Sequence, residues 1–197
     1  MISWFFIGLV ITILFTPGPT NTLLASSGVQ VGIKRSLLLI PAEAIGYIFA
    51  ITVWGLFIGK ISATLPLVPA FLKLISAGYI LYLAVKLWRT ANQHVALNQP
   101  TIRPRELLCA TLLNPKALLF ASAIFPALAW KDQEVYLLHI SVFVGLILPI
   151  ALFWIYVGSM LATNKVKWLS QSKLQRTASV ILVSFSIPIS YSALINL

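Results

Sequence analysis

Two ionisable side chains stand deep inside apolar stretches of this sequence, where a charge needs a reason to be. Lys116, in LLNPKALLFASAIFP, lies about nine residues into its stretch, roughly 14 Å deep at a helical rise of about 1.5 Å per residue. An ammonium at that depth costs about 2.5–3.5 kcal/mol on insertion scales, so it is expected to face a polar cavity within the protein. Glu43 is the only acid well inside an apolar stretch, about seven residues or roughly 10 Å from its start. It either pairs with a lysine such as Lys116 or accepts a proton and changes charge; the alternative is a reach back to Lys34 or Arg35 at the surface.

Proline motifs interrupt two of the apolar stretches. FTPGPTNTL sets Pro17, Gly18 and Pro19 in succession within the first stretch, and Asn114, Pro115 and Lys116 interrupt the fourth. Proline at a helix centre removes a hydrogen bond and clashes with the preceding turn, at about 3 kcal/mol in a soluble helix. In lipid the freed carbonyls must find partners in protein or water. The first stretch is therefore expected to break, exposing amides suited to a carboxylate and carbonyls suited to an ammonium. Thr16, Thr20, Asn21 and Thr22 stand beside the break, either to hold a ligand or to satisfy the kinked backbone.

Such residues need helices that cross a bilayer, and the composition supplies them. Of 197 residues, 59% are hydrophobic and 9% charged, against about 25% charged in an ordinary soluble domain. A bilayer core requires about 20 helical residues. Six apolar stretches of that order fit, at approximately 2–26, 37–59, 67–88, 107–129, 136–158 and 178–197. The linker 89–106, RTANQHVALNQPTIRPRE, is polar and too short for a domain, so one all-α transmembrane domain over 1–197 is expected. The first stretch lacks a basic flank and a cleavage site and reads as an uncleaved span.

The net charge of +10 would suggest nucleic acid in a soluble protein, but this chain has no solvated face to offer it. Ten basic residues, Lys34, Arg35, Lys86, Arg89, Arg103, Arg105, Lys165, Lys167, Lys173 and Arg176, fall in three alternate loops, against Lys60 and Lys131 on the other side. That imbalance puts the three loops in the cytoplasm and both termini outside. Lys73, near a span end, is expected to snorkel to the interface. His94 and His139 are distant in sequence and show no ligand pattern, and the single cysteine, Cys109, reads as a small buried hydrophobe. No nucleotide loop or Ser-His-acid set is present, so no metal, no cofactor and no enzymatic chemistry are expected.

The halves also resemble each other. Residues 44–65 align with 143–164, pairing Gly46 with Gly145 and Gly59 with Gly158, and Pro17 lies 98 residues before Pro115. Two repeats of three spans, about 1–88 and 107–197, would be inserted in opposite senses, with helices one and four broken and a site between them at the midplane. Gly55 with Gly59, and Ala42 with Gly46, equip the second span to pack closely against a neighbour and leave room for a homodimer.

TPGPTN early in the chain, GVQVGIKRS leading into the second span and LLNPKALLF in the fourth resemble the LysE/RhtB family of amino-acid exporters over most of the chain. The resemblance implies a bacterial inner-membrane secondary transporter that exports amino acids or close derivatives, driven by the proton-motive force. The family's PGP falls on Pro17, Gly18 and Pro19, with Asn21 following; its NPK falls on Asn114, Pro115 and Lys116. Gly32 fits the glycine before the basic pair and Gly46 the last glycine of the span-two series. Ser36 and Ala42 stand where glycines are frequent, Tyr47 where a polar residue is frequent, and Ala127 where a polar residue usually follows the span-four proline. Tyr47 and Glu43 are therefore pathway candidates. The implied mechanism is alternating access, with an amino-acid carboxylate meeting Lys116 and the amides near Pro17, Asn21 and Asn114 orienting it, and Glu43 coupling to protons. A metal-ion or other small-solute exporter and a nontransporting scaffold are the rivals; four acids and one cysteine count against a metal cargo.

Overall fold

Breaks at the proline motifs organise the chain. The computed structural model describes residues 2–65, 67–91, 102–162 and 171–195, which are helical with no strand among them. Helix α1 (Trp4–Phe15) starts where the Ser3 hydroxyl accepts from the Phe6 amide, and it ends before Pro17. Helix α2 (Pro19–Ser36) begins with Pro19 in the first position, where the missing N–H is no loss. It kinks at Gly32, whose φ of 73° is a conformation suited to glycine. There follow α3 (Leu39–Thr64), α4 (Val68–Thr90), α5 (Pro104–Leu112) and α6 (Pro115–Leu119), which runs into a π-helical turn at Phe120–Ile124. A 3-10 turn at Ala127–Trp130 leads to α7 (Gln133–Ala162) and α8 (Gln171–Leu194). Part of the expected linker, 92–101 with His94, and the stretch 163–170 with Lys165 and Lys167 lie outside the described residues.

Helices α1 and α2 meet at 55°, and α5 meets α6 with its π turn at 44°, so both expected breaks are present. Within α3 and α7, Leu39–Ile61 and Gln133–Leu161 are each long and apolar enough to cross a membrane; counting each bent pair as one span gives up to four. Helices α4 and α8, where spans three and six are expected, are not among those four. An outward skin of large apolar side chains, Phe49, Val53, Phe71, Ile75, Leu148 and Ile187 among them, suits a lipid surround.

Small residues set how closely the helices approach. A Cβ at Gly28 would run into the Ile155 carbonyl and one at Gly158 into the Ala25 carbonyl, so α2 and α7 touch backbone to backbone. Gly46 packs on Thr111 of α5, but Gly145 faces open space, so the aligned glycine pair has no common packing role. Gly55 and Gly59 do face a neighbour, yet it is the ring and Cβ of Trp130 in the 3-10 turn and not another helix. Helices α4 and α8 pair along a seam of seven-residue spacing, with Ala70, Ala77 and Ala84 buried on one side and Ser179, Ser186 and Ala193 on the other. The Ser179 hydroxyl donates to the Ala84 carbonyl at 2.7 Å.

Candidate functional site

Ending α1 at Phe15 leaves its last carbonyls without helical partners, and in an apolar surround each needs a donor. Side chains from three directions provide them. The Thr16 hydroxyl donates to the Ile13 carbonyl at 2.6 Å. Asn21, in the first turn of α2, folds back so that Nδ2 donates to the carbonyls of Leu14 at 2.6 Å and Thr16 at 2.8 Å. Lys116, 3% exposed, crosses from α6 and donates from Nζ to Ile13 at 3.0 Å and Thr16 at 2.7 Å. A cation thus sits on the negative end of the α1 dipole. Gly18 makes room for it, since a Cβ there would lie 3.0 Å from both Cε and Nζ of Lys116.

The second break is built on Asn114. Its Oδ1 caps α6 by accepting from the Lys116 amide at 3.1 Å, and Pro115 takes the first helical position. The other end of the same amide, Nδ2, donates to the Tyr47 hydroxyl at 2.8 Å and to the Thr20 hydroxyl at 3.4 Å. Asn114 therefore ties α6 to α3 and to the start of α2. Tyr47 is held by edge-on contacts with Phe120 and Phe143, at centroid distances of 6.0 and 5.7 Å.

Glu43 lies one helical turn before Tyr47 on α3, on the same face. It is fully buried, with Thr20 and Lys116 the polar neighbours that act on its carboxyl. Its Oε2 has no hydrogen-bond partner, which is a costly state for a buried carboxyl oxygen. The other three acids cap or flank helix starts: Glu106 at α5, Asp132 and Glu134 at α7. Glu43 is thus the one acid of the four left to do something else.

The structure brings Asn21, Glu43, Tyr47, Asn114 and Lys116 into one buried cluster, with Pro17 and Gly18 in the break beside it. Glu43 turns inward to Thr20 and Lys116, while Lys34 and Arg35 are exposed. Lys116 meets backbone carbonyls where an open polar cavity was expected. Pro19, exposed, starts α2 as Pro115 starts α6, while Pro17 lies in the break before α2. Thr20 emerges as the link between Glu43 and Asn114, a role that its place beside the break hinted at without specifying. The receiving carbonyls of Ile13 and Thr16 had no side-chain signature to be read. After Leu119 the chain makes its π turn, closed by Phe125 N to Phe120 O at 2.8 Å, a feature that recurs at functional sites. Among the described residues no three His, Cys, Asp or Glu side chains gather as a metal site.

The sequence model of the family described as LysE type translocator matches residues 11–193. An uncharacterized membrane protein of Vibrio cholerae serotype O1 is 30% identical over 117 residues, 56% of this chain and 56% of its own length. A cysteine/O-acetylserine efflux protein of Klebsiella pneumoniae subsp. pneumoniae is 32% identical over 104 residues, 53% of this chain and 51% of its own length. The chain spans about half the length of the curated relatives it matches. No solved structure matches it.

Proposed function

This chain belongs to the LysE type translocator family, whose members are transporters and not enzymes, and it is a multi-pass membrane protein; from that premise we propose that it exports amino acids or close derivatives across the bacterial inner membrane, driven by the proton-motive force. One observation carries the reading. The Lys116 ammonium rests on the carbonyl end of α1, and the Glu43 carboxyl lies against Thr20 at the amide end of α2. An ammonium and a carboxyl so placed mimic the two charges of an amino-acid zwitterion.

In this reading Lys116 and Glu43 are the charges that a substrate engages. An arriving ammonium takes the carbonyls of Ile13 and Thr16, which frees Lys116 for the carboxylate. Asn21 and Asn114 orient the ligand from opposite sides, Pro17, Gly18, Pro19 and Pro115 keep the helix ends open, and Tyr47 lines the way through. Glu43, with one oxygen unpartnered, is the group that takes up and releases the coupling proton.

Alternating access follows from two inverted three-helix repeats making six spans, α4 and α8 included. Support comes from the packing: α1 lies on α7 as α5 lies on α3, and α4 and α8 pair with each other. The ten-to-two division of basic residues orients the protein with both termini in the periplasm. The name of the Klebsiella relative puts cysteine and O-acetylserine first among substrates to try. Proteoliposomes with an imposed pH gradient and a panel of labelled amino acids should show gradient-dependent flux of at least one; no such flux for any of them would remove the amino-acid reading.

A further inference from the structure

On their outer side α4 and α8 leave a cavity of about 500 Å³ above the alanine and serine seam. Its walls are apolar and outward-facing: Val85, Trp88, Val180, Val183 and Ile187 are each between 42% and 65% exposed. One end is basic. Arg89, in the last turn of α4, lines the cavity, and Arg176, near the start of α8, lays its guanidinium over the Trp88 ring at 5.6 Å from the centroid. Neither helix carries an acid to neutralise them.

We propose that this groove holds an anionic phospholipid, its phosphate between Arg89 and Arg176 and an acyl chain lying along Val85, Val180 and Ile187. Three features fit that occupant. Arginine offers a planar fork of donors matched to phosphate oxygens. Trp88 sits beside the arginines, where an indole suits the headgroup boundary. The trough then runs away from the charges along the helices, as a lipid tail does. A basic pocket between transmembrane helices at the cytoplasmic end is a recurrent form of lipid headgroup site. A second copy docked here about a two-fold axis normal to the membrane would bring the same arginines level with one another, like charge facing like charge. The proposal rests on the reading that α4 and α8 span the membrane, with Arg89 and Arg176 at the cytoplasmic surface.

The test is native mass spectrometry of the whole chain in micelles holding phosphatidylglycerol and phosphatidylethanolamine. The wild-type protein should retain phosphatidylglycerol preferentially, and the double variant Arg89→Gln/Arg176→Gln should hold it about thirtyfold more weakly. Arg89→Lys/Arg176→Lys, which keeps both charges, should retain most of the binding and guards against a folding defect. Arg35→Gln/Arg105→Gln, with two exposed arginines removed elsewhere, should bind as wild type. Equal retention of the two lipids, equal loss in the control variant, or a cross-linked dimer through Val183→Cys that excludes lipid would each overturn the proposal. Labelling of the variants Leu67→Cys, Thr177→Cys and Leu194→Cys in a Cys109→Ser background reports separately whether α4 and α8 span. Because lipid binding is read without transport, a protein that binds phosphatidylglycerol and exports nothing leaves this site standing.

Discussion

Lys116→Met removes an ammonium while keeping most of the side chain's length, and it should act on both stability and selectivity. The Ile13 and Thr16 carbonyls each lose a donor inside the protein, so the thermal midpoint in detergent should fall by the equivalent of about 1–3 kcal/mol. Binding of carboxylate-bearing ligands should weaken more than that of uncharged analogues; equal weakening of both would reduce Lys116 to a helix cap. Glu43→Gln keeps an oxygen for Thr20 and removes the titration. Exchange of substrate at equal pH on both sides should persist, while the response to an imposed pH gradient disappears. An unaltered response would give the coupling role to another group. Both residues were legible in the sequence because so few ionisable groups lie inside its apolar stretches. Their partners were not, since a backbone carbonyl carries no sequence signal and the bond from Lys116 to Ile13 spans 103 positions.

At the scale of the elements, the broken helices follow from proline chemistry and were legible in full, down to the neighbourhood of residues 16–19 and 114–116. Close approaches were legible only as a tendency, because small-residue spacing announces a contact without naming its partner. Gly55 and Gly59 receive Trp130, from a turn that no helical periodicity would place there, and the alanine and serine seam of α4 and α8 spreads over more than a hundred residues. Glycine substitutions separate the real contacts from the coincidental ones. Gly158→Ala puts a methyl into the Ala25 backbone and should destabilise by about 1–3 kcal/mol or more, with α2 and α7 forced apart. Gly145→Ala meets nothing and should be neutral or stabilising by up to about 1 kcal/mol, from helix propensity alone. Matched melting curves decide it, and equal losses in the two variants would contradict the packing described.

For the whole molecule, charge does two jobs that composition alone merges into a single +10. On the proposed orientation most of the basic residues mark one membrane face, where Arg89 and Arg176 also frame a groove, while Lys116 ties α6 to the end of α1 in the interior. Cysteine labelling from either side of the vesicle should find positions near Lys34 and Arg105 on one side and positions near Lys60 and Lys131 on the other; a mixed pattern would contradict the orientation. On the proposed function the site accepts both charges of an amino acid, through Lys116, Glu43 and the helix ends beside them. The most direct measurement is gradient-driven flux into proteoliposomes of one transported amino acid beside its N-acetyl and methyl-ester forms, each lacking one charge. The intact zwitterion should move, and each derivative should lose about a hundredfold or more in rate, because the buried groups of the site would be left unpaired. Equal flux of all three would contradict the claim.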